Sequence, residues 1–513
     1  MYGRTFSYGL NGIDAEKIRV EADIRGGLGR FNIVGLPSNS IKESRERVSA
    51  AISNSGFTFS SRNYTINLAP ADLRKEGVAL DLATALAILS ASKQMRKDKL
   101  DKFALIGELS LDGTLRPVKG VLSMATAAWK DRMEGLIVPR ENLEEAAVID
   151  ELDVYPVESL RETVEFLEGR VQLQPVKIDT GKLFSSININ IEDMHDVKGQ
   201  YHVKRALEVA AAGGHNIIMV GPPGAGKTML ARRLPGILPE MTLDEALTTT
   251  KIHSVAGLIT GTKNGLMNTR PFRSPHHTIS DIALIGGGSY PKPGEVSIAH
   301  NGVLFLDELP EFKKSVLEVL RQPLEDGIVN ISRASSSLSF PARFMLVASM
   351  NPCPCGYYGN TDGKNICNCA FTAIQRYRSR ISGPLMDRID IQIEVPAVKY
   401  SDLSGIPTGE KSSHIRQRVN HSRQTQLERF RKEKIYNNSQ MNTKALRKYC
   451  ILDNDCQELL KLAMTKKGLS ARAYDRIIKV ARTIADLEQS EKILPAHISE
   501  AVMYRSLDTK FWE

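Results

Sequence analysis

Nine consecutive residues, Val220-Gly221-Pro222-Pro223-Gly224-Ala225-Gly226-Lys227-Thr228, fit the pattern G-x-x-x-x-G-K-[ST] at every fixed position. Glycines at these places let backbone N–H groups close around phosphate oxygens, and a following helix N-terminus adds a favourable dipole. Lys227 can reach the β- and γ-phosphates of ATP, and Thr228 can ligate Mg²⁺. A bare glycine-rich turn would need neither the apolar run Ile217–Val220 before it nor the helix-like Met229–Leu234 after it. With both present, the context is that of a nucleotide-binding loop, Gly221 to Thr228.

A second run, Val303-Leu304-Phe305-Leu306, ends in two carboxylates, Asp307 and Glu308. Buried parallel strands read as continuous apolar runs, and ligands gather at their carboxyl ends. Asp307 is therefore expected beside the Mg²⁺ held by Thr228, with Glu308 polarising the attacking water. A third run, Phe344 to Met350, ends at Asn351. That side chain could touch the γ-phosphate or the water, although Asn is also an ordinary residue at a strand end.

These runs must be positioned by an α/β core with a parallel sheet. The chain has 513 residues, enough for about three domains. Hydrophobic residues make up 42% and charged residues 25%, ordinary globular values. No run of eighteen apolar residues exists, and the start, Met1 to Ser7, lacks a signal-peptide core. A soluble cytoplasmic protein without a membrane partner is expected. The net charge of +9 permits an anionic partner, most simply nucleic acid. Positive charge is densest from Lys399 to Lys448, with twelve Lys/Arg against four Asp/Glu. That stretch reads equally as a solvated helix face or a binding face.

Residues 1–170 read as a separate α/β module. Ile18, Val20, Ala22 and Ile24 alternate as in a half-buried strand, and so do Tyr64, Ile66 and Leu68. Ile41, Val48, Ala51 and Ile52 fall at helical spacing, and Leu80–Leu89 is a helix candidate. Residues 171–195 read as a linker, 196–396 as the nucleotide module and 397–513 as a charged, helix-rich region. In the last, Ile477, Val480, Ala481, Ile484 and Leu487 form an amphipathic stripe.

Four of the six cysteines form Cys353-Pro354-Cys355 and, eleven residues on, Cys367-Asn368-Cys369. Two close pairs joined by a glycine-containing loop point to a tetrahedral Cys₄ zinc site. The C-x-C spacing is tighter than usual, and free thiols are the alternative. Cys450 and Cys456 show no such pattern and read as structural.

Further motifs lead into the Asp307-Glu308 strand: Arg270-Pro271-Phe272-Arg273-Ser274-Pro275-His276-His277-Thr278, Gly286-Gly287-Gly288-Ser289, Pro293-Gly294-Glu295 and Ala299-His300-Asn301-Gly302. With them the chain resembles the magnesium-chelatase-related AAA+ ATPases, closely their ComM/YifB branch, over essentially its whole length. The resemblance implies an AAA+ core with a helical lid, a homo-hexamer, ATP hydrolysis and, for this branch, DNA branch migration in recombination during natural transformation, alongside recombination proteins. The alternative within the same resemblance is a chelatase-type motor that remodels a protein partner. It also implies site residues. Asn351 matches the sensor-one position, and Arg472 matches the sensor-two arginine of the lid. Arg388, in Gly383-Pro384-Leu385-Met386-Asp387-Arg388-Ile389-Asp390, matches an arginine finger, with Arg380 as runner-up. A guanidinium from a neighbouring subunit can stabilise the transferring phosphoryl group. Without the resemblance, a surface salt bridge explains Arg472 equally well.

The N-terminal module resembles the Lon protease proteolytic domain. Lys75–Leu80 aligns with the stretch carrying the serine nucleophile, which here is Ala79. Pro117–Leu122 aligns with the stretch carrying the lysine base, which here is Leu122. Neither side chain can do that chemistry, so the module reads as a non-proteolytic scaffold for DNA or for ring assembly, with Lys119 a surface residue. Two insertions, His276–Gly294 and a hairpin over Gly327–Arg343, correspond to pore-facing hairpins of related AAA+ helicases. Arg333 is the expected phosphate contact there. His276 and His277 read as turn residues rather than metal ligands.

Overall fold

The computed structural model describes the chain except for residues 37–38, 72–74, 76–77, 97, 179–191, 260–264, 289–290, 334–335, 360–365, 398–408, 434, 506 and 508–513. Most of the expected linker, the tip of the 327–343 hairpin and most of the loop between the cysteine pairs therefore lie outside the described residues, as does the side chain of Arg333.

The N-terminal module begins with a strand that its sequence hides. β1 (Tyr2–Asn11) pairs antiparallel with β2 (Asp14–Arg25) along its whole length. β3 (Phe31–Val34), α1 (Asn39–Asn54), β4 (Asn63–Ala69), α2 (Asp81–Ala91), β5 (Phe103–Leu105), α3 (Val121–Lys130), β6 (Gly135–Pro139) and β7 (Asp153–Val157) follow. The sheet order is β3-β4-β2-β1-β5-β6-β7. α1 and α2 share one core with Ile18, Leu105 and Ile137, while α3 shares the other with Tyr8, Ala104 and Val138. Alternation along each strand makes this two-faced sheet.

No apolar alternation marks β1, because Gly3, Thr5 and Ser7 take the buried positions from Tyr2 to Ser7. The reason is the close approach of α2. A Cβ on Gly3 would fall 2.2 Å from the Ala87 carbonyl oxygen. Thr5 Oγ1 donates to the Ala83 carbonyl at 2.9 Å. Every residue of α2 is buried, and its alanines complete the flat contact.

The nucleotide module contains α4 (Tyr201–Gly213), β8 (Ile217–Val220), α5 (Lys227–Arg233), α6 (Leu243–Ala256), β9 (Phe272–Arg273), β10 (Val303–Leu306), β11 (Ile328–Arg333), β12 (Ser336–Pro341), β13 (Met345–Met350), α7 (Phe371–Arg378) and β14 (Ile391–Glu394). β9-β10-β13-β8-β14 form a fully parallel sheet in that order. Alternate residues again divide the faces. Ile217, Met219, Phe305 and Val347 join one core, and Ile218, Val220, Leu306 and Ala348 the other. β11 and β12 form the expected hairpin, with Ile331 opposite Leu338. The 276–294 insertion is more than a loop or hairpin. A short helix, Asp281–Ile285, starts where Ser280 Oγ accepts the Ala283 N–H, and a two-stranded ribbon, 286–287 with 292–293, follows. His276 bonds only locally, its Nδ1 lying 3.0 Å from Thr278 Oγ1.

The C-terminal region is helical, including α8 (Ser412–Arg429), α9 (Ala471–Leu487) and α10 (Pro495–Met503). The stripe Ile477, Val480, Ala481 and Ile484 shares a core with α4 and one face of the parallel sheet. The basic stretch is divided: Lys411, Arg431, Lys432, Lys444, Arg447 and Lys448 are exposed, while three arginines of α8 turn to the helices below. Arg423 is buried and donates to the Ala211 and Ala212 carbonyls. Arg418 pairs with Glu208 at 2.6 Å. Arg429 pairs with the buried Asp486. These cations fasten α8 to the helices beneath it. No helix among the described residues is long and apolar enough to cross a membrane.

Ala79 and Leu122 lie in one core with Met241, Ala246 and Leu266 of the nucleotide module. At that junction Glu145 accepts the Leu122 N–H at 2.8 Å and a hydrogen bond from Ser254 Oγ of α6. Burial pushes the Glu145 carboxyl up, and these donors oppose it. Exposed Lys119 lies against Gly257, which caps the carboxyl end of α6, where a cation opposes the helix dipole.

Gly3→Ala should destabilise the N-terminal sheet by about 1–3 kcal/mol, because the added carbon meets backbone that cannot rotate away. The denaturation midpoint followed by Trp129 fluorescence, in a Trp512→Phe background, reads this directly. An unchanged midpoint would mean that α2 retreats freely.

Candidate active site

The strand order brings the P-loop, the paired carboxylates and Asn351 to one edge, because β8, β10 and β13 all end there. α5 begins at Lys227, and Gly226 before it takes φ +82°. Gly221 has no room for a side chain, since a Cβ would lie 2.1 Å from the Val395 carbonyl oxygen. Gly224 is exposed, with nothing within 4 Å of where a Cβ would point. Pro222, Pro223 and Ala225 complete the turn between them.

Lys227 Nζ donates to the Gly221 carbonyl at 2.7 Å, the Pro222 carbonyl at 2.9 Å and Asn351 Oδ1 at 3.1 Å. Burial lowers its pKa, and the carboxylates of Asp307 and Glu308 push it back up. A phosphate group would act in the same sense as those carboxylates. Thr228 Oγ1 donates to Asp307 Oδ2 at 2.6 Å. Neighbouring oxygens around octahedral Mg²⁺, each at about 2.1 Å, stand ~3 Å apart. The two oxygens thus fit a shared Mg²⁺ once the hydroxyl turns its proton away.

Two residues at this edge escaped the sequence reading. Ser349 is fully buried, and its hydroxyl donates to Asp307 Oδ1, which also takes the Glu308 N–H at 3.1 Å. Its only sequence signal is a polar residue inside an apolar strand. Tyr377 of α7 is the second. It is buried close to Asn351, and burial pushes its hydroxyl's pKa up to about 12. Glu308 itself is exposed and sits at φ +54°, in the left-handed region. A non-glycine residue there is a strained conformation of the kind that clusters at functional sites.

Arg388 and Arg472 lie elsewhere. Both line a cleft of about 670 Å³ with Asn216, Gly302, Met345 and Asp390. Those four residues stand at the amino ends of β8, β10, β13 and β14. A four-residue strand, ~13 Å long, therefore separates these arginines from their own P-loop. Arg388 pairs with Glu325 and donates to the Pro384 carbonyl at 2.6 Å. Arg472 pairs with Asp387 at 3.1 Å. Arg380, in contrast, stays near the carboxylate loop and pairs with Glu311 at 3.0 Å.

The four cysteine sulfurs lie within 4.8 Å of one another. Cys353 Sγ is 3.3 Å from Cys355 Sγ and 3.7 Å from Cys367 Sγ, and Cys355 and Cys367 are 3.6 Å apart. Cys369 completes the group. Thiolates around tetrahedral Zn²⁺, at about 2.3 Å each, stand ~3.8 Å apart. The donor set fits that ion. Cys450 and Cys456 are buried apart from it, the latter donating to the Ile493 carbonyl at 3.5 Å.

A parallel sheet of this order with a P-loop and an acidic strand end defines an AAA+ core. Three family models match in sequence: subunit ChlI of Mg-chelatase over 20–142, magnesium chelatase subunit ChlI over 193–403, and the ChlI C-terminal region over 409–505. The competence protein ComM of Haemophilus influenzae is 44% identical over 506 residues, covering 98% of this chain and 97% of its own. The YifB protein of Escherichia coli is 43% identical over 498 residues, covering 97% and 96%. A magnesium-chelatase subunit ChlI of Olisthodiscus luteus is 26% identical over 176 residues, covering 32% of this chain and 52% of its own. The chain belongs to the ComM/YifB family of magnesium-chelatase-related AAA+ ATPases.

Ser349→Ala removes a donor to the Asp307 carboxylate, an interaction of about 1.5–3 kcal/mol. The Mg²⁺ concentration for half-maximal ATP hydrolysis should rise about tenfold or more. A Mg²⁺ titration of ATPase rate checks this, and an unchanged midpoint would show that Ser349 does not support Asp307.

Proposed function

We propose that this protein is an ATP-driven motor that works on branched or single-stranded DNA as a homo-hexameric ring, with branch migration or helicase action in recombination during natural transformation. The observation that carries this reading is the division of charged groups between the two ends of one sheet. Lys227, Thr228, Asp307 and Glu308 stand at one end, and Arg388 and Arg472 at the other. A ring of identical subunits can set the second end of one chain against the first end of the next. The full-length likeness to a protein named for competence supports DNA as the substrate, and β11–β12 brings Arg333 beside a hairpin turn.

In this reading residues 1–170 are a scaffold, 171–195 a linker, 196–396 the motor and 397–513 the lid, all acting in the cytoplasm. Lys227 grips the β- and γ-phosphates of ATP while backbone N–H groups from Gly221 to Thr228 surround them. Thr228 and Asp307 would hold Mg²⁺, which neutralises charge on the phosphates. Glu308 accepts the proton of the attacking water, and Asn351 orients that water or the γ-phosphate. Arg388 and Arg472 of one subunit meet the phosphoryl group bound to its neighbour. Cys353, Cys355, Cys367 and Cys369 would hold a structural Zn²⁺. A second reading, a chelatase-type motor that remodels a protein partner, is favoured by the ChlI family models covering all three regions.

DNA should stimulate ATP hydrolysis, with branched, single-stranded and duplex DNA compared. Binding should weaken with salt, by a log–log slope of about 0.7 per single-strand phosphate contacted. If DNA neither binds nor stimulates at low salt, the protein-remodelling reading replaces the DNA reading.

Neither Arg388→Ala nor Lys227→Ala should hydrolyse ATP alone, the first losing on the order of 10³-fold. Mixed rings contain interfaces pairing an intact P-loop with an intact arginine, so the mixture should recover part of the activity. Mixed rings that form yet stay inactive would rule out Arg388 as a residue acting across subunits.

A further inference from the structure

The four cysteines border the nucleotide site, and the chain that carries them is tied to it at both ends. The chain leaves β13 at Asn351, which accepts from Lys227 Nζ at 3.1 Å. Cys353 and Cys355 follow. Gly356 then passes the P-loop so closely that a Cβ there would lie 2.4 Å from Pro223 Cδ. Its φ of +88° is one that few other residues adopt. Cys367 and Cys369 bring the chain back, and α7 begins at Phe371. The last turn of α7 returns to the start of the loop. Arg378 donates from Nε and a terminal nitrogen to the Pro352 carbonyl, at 3.2 and 3.1 Å. Its guanidinium carbon stands 5.1 Å from the centre of the Tyr358 ring.

The chain at Asn351 and Pro352 is thus held from two sides: by β13 before it and by Arg378 of α7 on the Pro352 carbonyl. The cysteine pairs sit at the two points where the chain leaves and rejoins this arrangement. A metal joining them fixes Cys367 against Cys353, and so fixes where α7 starts. Displacing α7 moves Arg378, and with it the Pro352 carbonyl next to Asn351. Displacing the Cys353–Gly356 turn moves the contact with Pro223 in the P-loop.

We propose that a tetrahedral metal bound by Cys353, Cys355, Cys367 and Cys369 positions Asn351 and the mouth of the P-loop for hydrolysis. Metal occupancy then governs ATP turnover rather than fold stability alone. This rests on the zinc reading given above. A nucleotide that moves the mouth of the P-loop also moves the Cys353–Gly356 turn, through the contact of Gly356 with Pro223.

The full-length protein, purified without chelator, is compared with Cys355→Ser/Cys367→Ser and with Arg378→Met. The double variant should lose zinc, and its kcat should fall about ten- to a hundredfold, the scale of a small misplacement in a site. Its affinity for a fluorescent ATP analogue should change far less. Arg378→Met keeps all four thiols but loses the donors to the Pro352 carbonyl, so it should retain zinc and still lose kcat several-fold. Wild-type protein without zinc overturns the zinc reading and this inference together. Zinc lost with kcat unchanged, in a variant that melts like wild type, overturns only the coupling, and so does unchanged kcat in Arg378→Met. Should the double variant fail to fold, cobalt-substituted wild type decides. Its thiolate–Co²⁺ absorption should shift when a non-hydrolysable ATP analogue and Mg²⁺ are added, and an unmoved spectrum overturns the coupling.

Discussion

The contact between the Thr228 hydroxyl and the Asp307 carboxylate, 2.6 Å long, joins residues 79 apart in the chain. It requires β8 and β10 to end at the same height although they are not neighbours. β13 lies between them and sets that height, pairing Val220 with Met350 on one side and Leu306 with Ala348 on the other. Parallel pairing on both sides needs crossover connections, and these carry the helices that cover the two faces. Much of the nucleotide module is an answer to this one requirement. A hydrogen bond between two strand ends needs both fixed to within a few tenths of an ångström, and a sheet packed on both faces provides that stiffness.

The same strand also reaches the far end of the sheet. Asn216 precedes β8. Its side chain donates to the Arg388 carbonyl at 2.8 Å and accepts the Leu346 N–H at 2.8 Å. Its own N–H donates to Asp390 Oδ2 at 3.1 Å. Burial pushes the Asp390 carboxyl up, yet Arg476, His215 and Lys479 hold it well below the usual range. Arg476 lies one helical turn after Arg472 on α9. A buried carboxylate with such partners is costly to disturb, so Arg388, Arg472 and the P-loop are all referenced to β8.

The N-terminal module is joined to the nucleotide module through a shared core, into which Ala79 and Leu122 are packed. Glu145 is a buried polar group at this junction, bonded to Leu122 on one side and to α6 on the other. A satisfied carboxylate there opposes slippage of the two modules, because slippage would leave it buried without donors.

The sequence by itself determined the chemistry. Gly221–Thr228, Asp307, Glu308 and Asn351 were legible because phosphate and metal recognition demands particular residue types at short, fixed spacing. β2, β4, β8, β10 and β13 were legible because burial on one face or two writes a simple apolar pattern. The cysteine pairs were legible because two close pairs joined by a short loop can bring four sulfurs to one ion. Tertiary structure alone decided the rest. β1 was hidden because its close fit to α2 demands Gly, Thr and Ser rather than bulk. Ser349 and Tyr377 join the site through contacts made from neighbouring elements, which leave no periodic trace. Arg418, Arg423 and Arg429 looked like surface charge until their carboxylate and carbonyl partners came in from distant segments. The strand order likewise placed Arg388 and Arg472 behind the sheet, since which end of a strand a residue meets depends on how long-range pairing folds the chain.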